Sequence, residues 1–153
     1  MDIKQNIEHS FKELIEYTRH ANEYVNDLNI FWDLHEDYFP PYSEFFGNIN
    51  AKLIDYFNKI YDVEYEFTNK VIINETSHID SSHIDFCLKI KEKNNKLITD
   101  IKNNINLCKD NNLLEILKTL IEDLLKIDDE LISAINSNYK SLQKNGKPAR
   151  IDT

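Results

Sequence analysis

Residues 113–135 read LLEILKTLIEDLLKIDDELISAI, and the spacing of the apolar positions decides the fold. Leu113, Leu117, Leu120, Leu124, Ile127, Leu131 and Ile135 recur in steps of three and four, so they line one face of a helix. Three further blocks upstream carry the same period. In the first, Ile7, Leu14, Ala21, Leu28 and His35 repeat every seven residues, with Phe11, Thr18, Val25 and Trp32 between them. That seam predicts a long helix stopping at Pro40-Pro41, where the backbone loses its donors.

The second block spans about Tyr42 to Ile73, with Phe46, Leu53, Ile60 and Phe67 on one line and Ile49, Tyr56 and Val63 interleaved. Pro41 pre-sets its first turn, and Glu44 suits the positive end of its dipole. Residues 74–82 have no apolar period and read as the longest loop. Ser82 followed by Asp85 resembles a helix N-cap. A third helix then runs to Cys108 through Phe86, Ile90, Leu97, Ile101 and Ile105. Lys109 to Asn112 is a short link, with Asn112 and Glu115 as a capping-box variant. After Leu142 the chain turns polar, with Gly146 and Pro148.

Composition agrees. With 2 Gly and 3 Pro in 153 residues, the turns of an all-β domain and the Gly-rich loops of nucleotide-binding folds are both excluded. The expected architecture is all-α: one antiparallel up-down four-helix bundle over 1–142, followed by a frayed, flexible basic tail over 143–153. Four long helices joined by short links make that topology the least costly.

A net charge of −9 disfavours binding to a nucleic-acid backbone. The tail, with Lys140, Lys144, Lys147 and Arg150, is the one segment suited to weak contact of that kind. No run of 18 apolar residues exists, so no membrane span is expected. The N-terminus lacks the basic and apolar blocks of a signal peptide, so a cytoplasmic location is expected. Cys87 and Cys108 fall in what reads as one helix, about 30 Å apart at 1.5 Å per residue. They cannot pair there and read as small buried side chains.

The residues offer little chemistry. A ferritin-type di-iron bundle needs inward Glu-x-x-His pairs on two helices, and the fourth block contains no histidine. The one match, Glu75 to His78, falls in the loop. His78, Asp80 and His83 are the weak candidates for a loop metal site; solvated loop residues are the preferred reading. His35 reads as a core histidine. Arg19-His20 lacks the spacer of the Arg-and-His pairs in helical ribonucleases. No Ser-His-Asp or Cys-His grouping can be argued. The expectation is a non-enzyme without a cofactor.

Aromatic placement is the positive signal. Every aromatic residue except Tyr139 precedes Cys87. The first helix pair should therefore pack rings and the second Ile and Leu. Tyr38, Phe39, Tyr42 and Phe45, crowded around Pro40-Pro41, are the candidate partner-binding surface, since rings are favoured at interfaces.

The stretch from Glu23 to Trp32, Glu-Tyr-Val-Asn-Asp-Leu-Asn-Ile-Phe-Trp, resembles the first-helix segment of the DNA-protecting miniferritins. Ser43-Glu44-Phe45-Phe46 falls where that family has Leu-His-Glu and an aromatic. The resemblance implies a ferritin-like bundle. At the family's ligand positions, however, stand Phe31, Ser43, Asn58 and Asp62; one acid among four cannot assemble the centre. The expected function is a non-catalytic acidic helical module binding a protein partner with a basic surface, of the regulator, adaptor or immunity type. Homodimer formation is compatible with it. The alternative is a miniferritin relative with a degenerate or absent di-iron site.

Overall fold

Asp110 shows how the chain starts a helix. Its Oδ1 accepts hydrogen bonds from the backbone N–H of Asn112 (2.9 Å) and Leu113 (3.3 Å), satisfying two orphan donors of the first turn. In the computed structural model, described over residues 3–27, 42–67 and 82–145, four helices follow: α1 (Ile3–Asp27), α2 (Tyr42–Tyr61), α3 (Ser82–Ile105) and α4 (Asn111–Asn145). Side chains are described for 3–24, 44–67 and 85–136. The described structure is all-α, and no described helix is long and apolar enough to cross a membrane.

Cross-helix contacts give the directions. Asn6 meets Asn104, Ser10 meets Asp100, and Glu13 meets Lys93, so α1 and α3 are antiparallel. Tyr61 donates to the Lys4 carbonyl, Phe11 packs edge-on to Phe57 at 5.3 Å, and Asn50 donates to Ile15 O and Thr18 Oγ1 at 2.9 Å. Hence α1 and α2 are antiparallel too. Asn94 bonds the Leu124 carbonyl while Lys91 faces Asp128, which sets α4 against α3. Lys52 pairs with Glu130 across α2 and α4. Every packed neighbour is thus antiparallel, in the ring α1–α2–α4–α3. The second and third helices run the same way, since both are antiparallel to α1.

The core follows the seams. Ile7, Phe11, Leu14, Thr18 and Ala21 of α1 are fully buried, as are Ile90, Leu97 and Ile101 of α3 and Leu117, Leu124 and Leu131 of α4. Rings fill the α1–α2 side. Phe86 gathers Tyr17, Tyr24 and Phe46 at 5.3–6.0 Å, joining α3 to that layer.

The second helix ends twelve residues before Ile73. Asp62 takes a left-handed backbone (φ 52°), a conformation that Asp tolerates and that terminates helices. Asn58 Oδ1 then accepts the Tyr65 N–H at 2.8 Å, turning the chain back onto α1. Val63 and Phe67, expected on the seam, are 50% and 36% exposed. The third helix ends at Ile105, so Cys108 sits in the connection, half-buried, its thiol donating to the Asp110 carbonyl. The cap of α4 is Asp110 rather than Asn112. The last helix continues to Asn145, past Leu142; residues 146–153 lie outside the described residues.

Candidate functional site

Of the ring surface expected around Pro40-Pro41, Tyr38 and Phe39 lie outside the described residues, and Tyr42 is described only as the first residue of α2. Phe45 is half-buried, its ring 5.6 Å from Phe46 and packed on the core. His78 and Asp80 also lie outside the described residues, and His83 is described only as backbone in the first turn of α3. Lys140 and Lys144 are on the last turns of α4; Lys147 and Arg150 fall beyond the description. Among the described residues, no three His, Cys, Asp or Glu side chains gather as metal ligands.

Arg19 and its surroundings form a latch. Glu16, 3% exposed, accepts the Tyr65 hydroxyl and lies 3.6 Å from Arg19, which also pairs with Glu23 at 3.0 Å. The Phe67 ring sits 4.6 Å from the guanidinium. Burial, then the hydrogen bond to Glu16, pushes the Tyr65 hydroxyl well above its ordinary pKa of 10. It stays a neutral donor, and both partners are committed to holding residues 62–67 against α1. Cys87 is fully buried, and desolvation pushes its thiol up to about 12, so it is not a nucleophile at neutral pH. At the ligand positions of the miniferritin pattern, Asn58 caps the chain reversal and Asp62 is the exposed left-handed residue.

A surface opening among the described residues lies between α2 and α4. There the two helices leave a groove of about 490 Å³. Tyr56, Lys59 and Ile60 form the α2 side. Glu115, Ile116, Thr119, Leu120 and Asp123 form the α4 side. Ile60 and Leu120, each 3% exposed, make the floor, while Ile116 is 40% exposed. The Tyr56 hydroxyl is raised above 10 first by desolvation, then by the carboxylates of Asp123, Asp55 and Glu130. Lys52–Glu130 (3.0 Å) crosses the seam towards the other end of α2.

The composition of this seam explains why it stays open. Closing it would strip water from Glu115 and Asp123. The cations of the α2 side are already engaged, Lys59 with Asp55 at 3.2 Å and Lys52 with Glu130, and Asp123 has Lys126 of its own helix at 4.0 Å. Burying carboxylates without matched partners costs several kcal/mol each in general.

Sequence reading placed Tyr56, Ile60 and Leu120 on core seams but did not bring them together as a site. The signal was Ile116, one apolar residue beyond the stripe that Leu113, Leu117 and Leu120 already complete. No family model, curated protein or solved structure matches this chain.

Proposed function

We propose that this chain is a non-catalytic, acidic helical-bundle module that binds a protein partner presenting a basic surface, in a regulator, adaptor or immunity role. The observation that carries it is the α2–α4 seam: an apolar floor left open, with Glu115 and Asp123 on its α4 side and Lys59, paired with Asp55, on its α2 side, in a chain of net charge −9. Such a rim steers basic partners and repels acidic ones, and the apolar floor supplies the buried area that holds them. The buried polar groups support a non-enzymatic role, because Glu16, Arg19 and Tyr65 are spent on one another.

The test is affinity capture from the native host, followed by calorimetry with the captured protein purified. A saturable complex that weakens as salt rises is expected. Captured proteins that form no saturable complex once purified, or binding that ignores salt, would count against the proposal.

A second reading, a ferritin-like relative with a degenerate or absent di-iron site, draws support from the shared direction of α2 and α3. One long crossover between those helices is how ferritin-like bundles are wired. Iron loading with size-exclusion chromatography separates the two. A many-subunit shell that oxidises iron favours the relative; a small species inert to iron favours the partner-binding module.

A further inference from the structure

The walls of the α2–α4 groove are two antiparallel helices, and each presents apolar side chains four residues apart. Tyr56 and Ile60 do so on α2, and Ile116 and Leu120 on α4. Rows at that spacing are the ridges between which a further helix seats its own side chains. Val63 and Leu107, 50% and 66% exposed, lie at the end of the bundle where α2 and α3 finish and α4 begins. They place further exposed apolar side chains at the bundle end nearest Ile60 and Ile116.

Charge selects the occupant. Neither Glu115 nor Asp123 has a close cation from the opposite wall among the described residues; the nearest for Asp123 is Lys126 on its own helix, at 4.0 Å. Glu115 is exposed. A second copy of this chain would bring its own net charge of −9 against that rim and be repelled. A helix with Lys or Arg along its flanks would instead place ammonium or guanidinium groups over exposed Glu115 and the partly exposed Asp123.

We infer that the α2–α4 groove is the docking site for one amphipathic helix of a partner protein, with an apolar stripe seated on Ile60, Ile116 and Leu120 and basic residues facing Glu115 and Asp123. The inference rests on the partner-binding function proposed above and specifies where and how that partner is held.

The test uses the full chain and three labelled peptides of roughly 18 residues, long enough to form a helix on binding. One carries Leu at i, i+3, i+4 and i+7 with Lys flanks, one has the same stripe with Glu flanks, and one is the Lys peptide scrambled. Fluorescence anisotropy should show saturable binding of the first alone. Ile116→Glu, at a half-exposed position that does not threaten the fold, should weaken it by about tenfold or more. Glu115→Lys with Asp123→Lys should do the same, with the helical circular-dichroism melt retained in both variants. Equal binding of the scrambled peptide, or binding indifferent to Ile116→Glu, overturns the docking mode. Applied to a purified natural partner, the same variants separate the two claims. A partner that binds both variants as tightly as the parent chain sinks the groove and leaves the module standing. Absence of any partner sinks the module itself.

Discussion

Two antiparallel seams, α1–α3 and α2–α4, occupy equivalent places in the ring of helices and are built differently. Across α1–α3 runs a polar ladder over a filled core. Asn6 bonds Asn104 at 2.9 Å, Lys96 donates to Ser10 at 2.8 Å, and Lys93 meets Glu13 at 2.7 Å with its ammonium 5.3 Å from the Tyr17 ring. Across α2–α4, Lys52–Glu130 stands beside an open apolar trough. Charges alternate along the first seam, so closing it neutralises them. On the second, Glu115 and Asp123 of α4 meet no cation from α2 among the described residues, so closure would desolvate them. Whether a helix pair seals thus depends on charge register as much as on apolar period.

The largest effect expected in breaking this contrast comes from the core both seams share. Leu124→Ala, at a fully buried position, should cost roughly 2–5 kcal/mol in urea titration. Ile116→Ala on the same helix should stay within about 0.5 kcal/mol, as surface substitutions do. Equal costs would mean that the trough is closed in solution.

Next comes the latch. Tyr65→Phe removes the donor to buried Glu16 and should destabilise by about 1–3 kcal/mol. A neutral result would show that residues 62–67 are not held on α1.

A smaller effect tests the charge register by pH. The hydrogen bond from Lys93 is the leading cause holding the Glu13 carboxyl below its usual 4.5, against partial desolvation. A depressed carboxylate pKa stabilises the fold above its unfolded value, and that stability is lost as pH falls through the folded value. Melting temperature should therefore fall more steeply below about pH 4.5 for the parent chain than for Glu13→Gln; parallel curves would remove Glu13 from the ladder. The smallest change belongs to Lys52→Ala, whose ion pair with Glu130 is about two-fifths exposed on both sides. It should cost under about 1 kcal/mol, and a larger loss would mean that this pair closes the second seam.

Much of this was legible in residue spacing. Ile7, Phe11, Leu14, Thr18 and Ala21 announced the buried face of α1, and Leu117, Leu124 and Leu131 that of α4, because apolar period and burial are the same physical fact. Spacing could not mark the end of α2. Val63 and Phe67 keep the period, but Asp62 and Asn58 supply a backbone reversal that competes with it locally. Nor did it show Asn94, fully buried on the α3 seam between Ile90 and Leu97, whose Nδ2 bonds the Leu124 carbonyl. The groove was hidden for another reason. Tyr56 and Leu120 each sit on a valid core stripe, and only the ring order of the helices reveals that their two stripes meet without closing.

The central claim, that the second seam is open in order to receive a basic helix, is tested most directly by amide-resolved hydrogen exchange with and without the Lys-flanked peptide. Slowed exchange concentrated in residues 56–60 and 115–123, with Ser10, Glu13 and Lys93 unchanged, is the predicted result. Protection centred on the α1–α3 seam or on the Phe45 corner, or none at saturating peptide, would contradict it.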